Sequence, residues 1–279
     1  MFCDLHTHSV FSDGSYTPTE LIKEAKRLGL SAIALTDHNT TWGLPEFVSA
    51  AKENLVTAVA GTELSTDYGN VELHILGLFL PETAYEKIEE RVQILKRNKE
   101  ESNRILCERL AAAGYQISLE EVKNASPAEF VNRAIVGEVL MKKGYVSSIQ
   151  EAFDTLLKKG GEFYVEPMRL DALETVAFLK GLGAAVVLAH PFLNLDEQGL
   201  RSFVSEALPL GLDGIETRYS KYTEEQTLLS EKIAKEYGLL QSGGSDFHGT
   251  RKPTIAMGVG RGNLKVPTSF YETLKERAK

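Results

Sequence analysis

Cysteine is nearly absent: Cys3 and Cys107 are the only two in 279 residues, and they stand at neither metal-binding nor redox spacing. That excludes a disulfide framework and fits a reducing compartment. Long apolar runs are missing as well. The stretch from Ala184 to Ala189 is among the longest, far below the roughly 20 residues that a bilayer crossing needs, so no membrane span is expected. No basic region and apolar run precede Asp4, His6 and His8, so no secretory signal is visible and a cytoplasmic location is expected. Positive charge is in deficit, with 31 Lys and Arg against 39 Asp and Glu and a net charge of −8. With no dense basic stripe to compensate, stable binding to duplex nucleic acid is not expected. A small anionic substrate stays compatible with that charge, because bound cations invert the field locally. Low-complexity tracts and fixed-period repeats are also lacking.

What is present is an alternation of short β-rich runs with amphipathic helices. Residues 2–5, 32–35, 55–60, 71–79, 184–189, 214–216 and 239–241 read as strands. Thr17-Pro18-Thr19-Glu20 supplies an N-cap, a proline at the first helical position and a glutamate able to close a capping box, and Gly29 marks the end of that helix. Thr223-Glu224-Glu225-Gln226 repeats the start signature, with Gly238 as the stop. Repetition of strand, loop and helix predicts an α/β fold with a parallel sheet, open or closed into a barrel, and working loops at the strand C-terminal ends. The rhythm breaks over 82–165, which is rich in Lys and Glu and helical in period. A long helix is predicted there up to Gly114, and another begins at Ser148-Ile149-Gln150-Glu151. The pattern gives an α/β body from 1–81 and 166–279 interrupted by a helical insertion over 82–165. Having no histidine, the insertion reads as a lid or specificity element.

The six histidines are His6, His8, His38, His74, His190 and His248, each within or just beyond a predicted strand. His6 and His8 are two apart on an extended segment, so both rings project from one face and can chelate one ion. Asp246 and His248 repeat that spacing. Asp13 follows the first strand, Asp37-His38 closes the second, Glu63 follows the third and His190-Pro191 closes a later one. Taken alone, His74 in Leu73-His74-Ile75 reads as a packed residue, and Asp13 in Ser12-Asp13-Gly14-Ser15 fits a turn as well as a ligand. Taken together, six imidazoles and three carboxylates at one rim exceed what a single transition ion accepts, so two or three divalent ions are expected. Mixed nitrogen and oxygen ligation suits Mn²⁺, Zn²⁺ or Fe²⁺. Such a pocket suits a phosphate.

The motifs Asp4-Leu5-His6-Thr7-His8-Ser9, Ser12-Asp13-Gly14, Leu35-Thr36-Asp37-His38-Asn39, Gly61-Thr62-Glu63, Leu188-Ala189-His190-Pro191 and Gly244-Ser245-Asp246-Phe247-His248-Gly249 resemble those of the PHP (polymerase and histidinol phosphatase) family, over nearly the whole chain. The resemblance implies a distorted (β/α)₇ barrel with a metal cluster at the strand C-terminal ends. It also implies that His6, His8, Glu63 and Asp246 hold one ion, that Glu63 bridges to a second held by His74 and His190, and that Asp13, His38 and His248 hold a third. The chain is most similar to stand-alone members that hydrolyse phosphate esters of nucleotides, a 3',5'-bisphosphate phosphatase and an oligoribonucleotide exonuclease among them. It departs from their pattern at Arg133-Ala134-Ile135, where the insertion often carries Arg-x-His, at Tyr222, where many relatives have histidine, and at Asn39, where Asp is common.

The expected function is therefore metal-dependent hydrolysis of a small phosphorylated substrate: a nucleotide 3',5'-bisphosphate, a cyclic phosphate or a short oligoribonucleotide. Metal-bound hydroxide would attack phosphorus in line. Asp37 and Asp246 are the candidate acids for the leaving oxygen, with Glu63 as the bridging carboxylate. Arg133 and Arg218 are candidates for binding substrate phosphate, a solvated surface position being the other reading of each. Two alternatives are a histidinol-phosphate phosphatase and a non-catalytic metal-binding interaction module.

Overall fold

The computed structural model describes residues 2–125, 133–166 and 169–278. It divides into two units, Met1–Val92 with Leu170–Lys279, and Gln93–Arg169. The first unit begins with β1 (Phe2–Cys3), α1 (Pro18–Leu28), β2 (Ile33–Leu35), α2 (Leu44–Asn54), β3 (Ala58–Tyr68) and β4 (Val71–Leu78). A long helix, α3 (Tyr85–Ala112), carries the chain into the second unit, made of α4 (Leu119–Ala125), α5 (Arg133–Lys142) and α6 (Ile149–Asp154). The first unit resumes with β5 (Leu170–Asp171), α7 (Ala172–Gly181), β6 (Ala185–Leu188), α8 (Glu197–Ala207), β7 (Gly214–Tyr219), α9 (Glu224–Tyr237), β8 (Leu240–Gly244), β9 (Val266–Pro267) and α10 (Thr268–Lys275).

Local signals explain the helix limits. Thr17 and Glu20 close a capping box at the start of α1, and Gly29 ends it in the left-handed conformation with φ 67°. Thr223 and Gln226 do the same for α9, which stops at Gly238. Ser148 caps α6 by accepting from the Glu151 amide. Among the described residues, no helix is long and apolar enough to cross a membrane.

The main sheet has the strand order β2-β3-β4-β6-β7-β8, with β5 beside β3. Pairs β2–β3, β6–β7 and β7–β8 are parallel. The expectation of a parallel sheet fails at β4, which runs antiparallel to both β3 and β6. The cause is local: β3 and β4 form a hairpin from Gly61↔Leu78 to Tyr68↔Val71, turning through Gly69 and Asn70 at φ 55° and 70°. Two residues with positive φ suit a tight hairpin turn and leave no room for a crossover helix. Glu63 and His74 consequently sit inside long strands rather than at strand ends.

Residues 4–8 close the sheet into a distorted barrel. On one side Asp4 N–H bonds Ala32 O (3.0 Å), and Asp4 O and Thr7 O accept from Ala34 and Thr36 of the β2 edge (2.8 and 2.9 Å). On the other, Leu5 N–H bonds Gly243 O (3.1 Å), His6 O accepts from Asp246 N–H (2.9 Å), and His8 N–H bonds Phe247 O (2.9 Å). Cys3 and Leu5 join the apolar core with Ala32, Ala34, Val59, Leu76 and Val187, so strand alternation turns His6 and His8 the other way.

The second unit has its own core, in which Leu106, Leu110, Val122, Val136, Leu140, Ala152 and Leu157 are buried together. The sequence pattern begins the insertion at residue 82, but the division falls at Gln93. Glu89, in the second turn of α3, accepts bonds from Thr40 Oγ1 (2.9 Å) and the Thr41 amide, which ties the start of that helix to the loop after β2.

Closure demands a glycine at the β8 edge. A Cβ on Gly244 would lie 2.4 Å from His6 Cβ and 2.5 Å from His6 N, atoms that cannot retreat without breaking the β8 pairing. Gly244→Ala is expected to destabilise the fold by about 1–3 kcal/mol, measured as lowered midpoints in thermal and denaturant unfolding. An unchanged midpoint would mean that the closing segment is looser than described.

Candidate metal centre

All nine side chains singled out as ligands converge, although they come from six places in the chain. His6 and His8 lie on the closing segment, Asp13 on the loop beyond it, and His38 just after β2, where it bridges to Glu63 as a parallel neighbour. Ser65 pairs with His74 across the hairpin, so Glu63, two residues earlier on the same face, reaches the His74 ring diagonally. His190 follows β6, and Asp246 and His248 follow β8. Two of these residues have strained backbone, His190 at φ 28° and Asp246 at φ 56°. The strain is held by hydrogen bonds: His190 N–H donates to Glu216 Oε2 (2.7 Å) and Asp246 N–H to His6 O (2.9 Å).

Glu63 is the hub. Its Oε1 lies 2.8 Å from His74 Nδ1 and 3.0 Å from His190 Nε2. Its Oε2 lies 3.1 Å from His6 Nε2, 3.3 Å from His8 Nε2 and 3.1 Å from His38 Nδ1. Asp246 Oδ1 is 3.2 Å from His8 Nε2 and 3.8 Å from His6 Nε2, and Asp13 Oδ1 is 3.1 Å from His248 Nε2 and 3.9 Å from His38 Nε2. Among the described residues, four groups can share an ion: His8-Asp13-His38-His248, His6-Glu63-His190, His6-His8-Asp246 and His38-Glu63-His74. Two ligands bound at about 2.1 Å and separated by an octahedral or tetrahedral angle stand about 3.0–3.4 Å apart, the range in which most of these pairs lie.

The donor set fits a divalent ion on a second count. Eight buried side-chain nitrogens and oxygens among the described residues lack a hydrogen-bond partner, and six belong here: His6 Nε2, His8 Nδ1 and Nε2, His38 Nδ1, Glu63 Oε2 and His248 Nε2. Polar atoms buried in that state cost free energy that a cation restores. The titration behaviour agrees. Burial pushes His8 down to about 3 and also lowers His38, whereas the charge of Glu63, working against burial, lifts His6 and takes His74 up to about 9. Surrounding imidazoles hold Glu63 and Asp246 far below the usual carboxylate range despite their burial. Protons therefore satisfy some rings and starve others, while metal ions let all six serve as neutral ligands.

Several supporting residues escape sequence reading. Glu216 is buried, accepts from His190 N–H and lies 3.0 Å from His6 Nδ1, which leaves Nε2 of His6 facing Glu63. An acidic residue at an inward strand position is the signal that could have found it. Tyr219 O–H (2.9 Å) and Lys252 Nζ (3.1 Å) both bond Asp246 Oδ2, so Oδ1 is the oxygen left toward the imidazoles. His248 Nδ1 donates to Asp246 O (2.8 Å), directing Nε2 at Asp13. Tyr222 packs edge-on against Tyr219, 5.3 Å between centroids, and its hydroxyl accepts from the Phe192 amide.

Three residues with expected catalytic or substrate roles have protein partners of their own. Asp37 stands outside the four ligand groups: its oxygens accept from Ser9 N–H (2.7 Å), Ser9 Oγ (2.5 Å) and Ser12 Oγ (2.5 Å), so it ties down the loop before Asp13. Arg133 donates to Leu157 O (3.1 Å) and stacks over Tyr164 and Phe153 at 4.7 and 5.5 Å, which commits its guanidinium to packing within its own unit. Arg218 forms an ion pair with Glu231 of α9.

A family model described as the PHP domain matches residues 4–169. The chain is 32% identical over 246 residues to a 5'-3' exoribonuclease of Haemophilus influenzae, covering 88% of this chain and 89% of that one. It is 28% identical to a 3',5'-nucleoside bisphosphate phosphatase of Chromobacterium violaceum, covering 88% and 86%. A solved structure from Bifidobacterium adolescentis, provisionally described as a metal-dependent phosphoesterase, superposes with a TM-score of 0.76 at 28% identity and covers 99% of this chain and 96% of its own.

Glu216 holds the His6 ring and the His190 backbone without belonging to any ligand group. Glu216→Ala is expected to weaken metal affinity by about ten- to a hundredfold, with Glu216→Gln, which keeps an acceptor oxygen, losing less. Titration of chelator-stripped protein with Mn²⁺ measures this, and equal affinities in all three proteins would remove the orienting role.

Proposed function

The chain belongs to the PHP domain family, and from that premise we propose that it hydrolyses phosphate esters of nucleotides at two or three divalent ions held by its histidine cluster. It is a metal-dependent phosphoesterase. In the proposed assignment His6, His8, Glu63 and Asp246 would hold one ion, Glu63, His74 and His190 a second, and Asp13, His38 and His248 a third. The observation that carries this reading is the division of Glu63, whose two oxygens face different sets of imidazoles. Nitrogen and carboxylate ligands together favour Mn²⁺, Zn²⁺ or Fe²⁺.

Bound ions supply Lewis acidity, neutralising phosphate oxygens and lowering the pKa of water. The protein's own contribution is preorganisation. Glu63 fixes the spacing between two positions. Glu216 and the His248 bond to Asp246 O set which ring nitrogen points inward. Asp246, held ionised, would serve proton delivery by positioning Tyr219 O–H and Lys252 Nζ, the two proton carriers that meet on its Oδ2. Asp37 holds the 9–12 loop and through it Asp13. The relatives named as an exoribonuclease and a nucleoside bisphosphate phosphatase support a nucleotide ester as the substrate. Cys3 and Cys107, both buried and free, support placement in a reducing, cytoplasmic compartment.

Protein purified without chelator should carry two or three equivalents of divalent transition metal by elemental analysis, and less than one after Mn²⁺ reconstitution would defeat the cluster. Glu63→Gln should lose more than one equivalent and nearly all turnover, because one carboxylate serves two positions. Full occupancy in that variant would show that Glu63 is no bridge. A phosphate-release screen with Mn²⁺ should give turnover on a nucleoside 3',5'-bisphosphate, a cyclic nucleotide or a short oligoribonucleotide. Release from histidinol phosphate alone would overturn the nucleotide assignment.

A further inference from the structure

The two loops that carry Asp13 and His38 also carry exposed aromatic rings. Phe11 is 36% exposed and Trp42 57%, with Val10 exposed beside them. Other exposed apolar side chains, such as Leu55 and Leu228, stand on separate helix ends and faces, as single surface residues commonly do. The aromatic pair differs because it is built into the site. Phe11 is two positions from Asp13 and Trp42 four from His38, so the chain spans no more than about 7 and about 14 Å between ring-bearing residue and ligand. That is the scale on which a nucleotide extends from its phosphate to its base.

The pair is also held together. Asp37, next to His38, accepts from the Ser9 amide and from the hydroxyls of Ser9 and Ser12, which joins the loop of Phe11 to the loop of Trp42. The Ser9 carbonyl accepts from the amides of Ser12 and Gly14, giving the 9–14 segment a tight internal turn. Gly43, directly after Trp42, has no side chain where Phe11 Cδ2 and Asp37 Oδ2 would each lie 3.1 Å from a Cβ, so the Phe11 ring rests against the backbone beside Trp42. Two exposed rings thus stand on loops that Asp37 joins and that also carry Asp13 and His38.

We propose that Phe11 and Trp42 are the surface on which the substrate's nucleobase stacks, a specificity element that binds the base while the metal cluster holds the phosphate. This rests on the nucleotide reading above and adds to it. A flat heterocycle two or three bonds beyond a sugar phosphate matches two rings, because every base presents a π-face to an aromatic side chain. Stacking of this kind tolerates any base and favours purines through their larger area, whereas base-edge hydrogen bonds would select one.

Trp42 is the sole tryptophan of the chain, so its fluorescence reports on this rim alone. The Mn²⁺-loaded protein should show saturable quenching with adenosine 5'-monophosphate and none with ribose 5-phosphate. Phe11→Ala should raise the half-saturating nucleotide concentration roughly five- to a hundredfold. Trp42→Ala should raise KM for a nucleotide substrate by a similar factor with kcat little altered, and Trp42→Phe should restore most of the loss. Nucleotide turnover without quenching, or equal quenching by ribose 5-phosphate, would overturn the stacking surface while leaving the nucleotide reading intact. Saturable, Phe11-dependent quenching in a protein that turns over no nucleotide would support the base site and remove the substrate assignment. Neither quenching nor nucleotide turnover would overturn both.

Discussion

Glu63 is a fully buried carboxylate surrounded at 2.8–3.3 Å by ring nitrogens of His6, His8, His38, His74 and His190. A carboxylate in that setting carries a desolvation cost of several kcal/mol unless charges and hydrogen bonds compensate it. Much of the barrel's geometry serves that compensation. The antiparallel β3–β4 hairpin carries His74 to Glu63, the closing segment carries His6 and His8, and the end of β6 carries His190. Five imidazoles cannot all be protonated in one buried pocket, so shared divalent ions are the balance that fits the donor set.

Around the cluster stand three buried acids that belong to no ligand group, and each spends its oxygens on a loop or a ring. Asp4 accepts from the amide and hydroxyl of Ser245 and from the Gly258 amide, holding the turn that presents Asp246. Asp37 does the equivalent for Ser9 and Ser12, and Glu216 for His6 and His190. Each accepts several donors, which makes its burial tolerable. The loops are therefore rigid where the chemistry requires placement within a fraction of an ångström. The stapled loop of Phe11 is a by-product of the same arrangement, since the bonds that hold Asp13 also hold the ring two residues before it.

The helix limits were legible because they are local: Thr17 with Glu20, Thr223 with Gln226, Ser148 with Glu151, and the glycines at 29 and 238 act within one turn. The nine side chains that converge at the site were legible for a different reason. Imidazoles and carboxylates repeated at strand ends are too costly as independent burials and too regular in spacing to serve as scattered surface residues. The hairpin was within reach as well, since Gly69-Asn70 between two β-rich runs is a recognisable two-residue turn. A uniformly parallel reading passed over it.

By itself, then, the sequence determined the types and number of donor groups, the alternation of strands and helices, and a histidine-free helical segment. Only the tertiary structure decided how those donors are shared. Which Glu63 oxygen meets which ring, and which nitrogen of His6 is spent on Glu216, 210 residues away, depend on distances set by barrel closure. The fate of Asp37, Arg133 and Arg218 depends on the same distances. Asp37 is adjacent to a histidine in sequence, yet its oxygens point at Ser9 and Ser12, and both arginines find partners within their own surroundings. Residue type declares what a group can bond. Its partner is chosen by packing, because hydrogen bonds and metal ligation act over about 2–4 Å, a range that no spacing along the chain specifies.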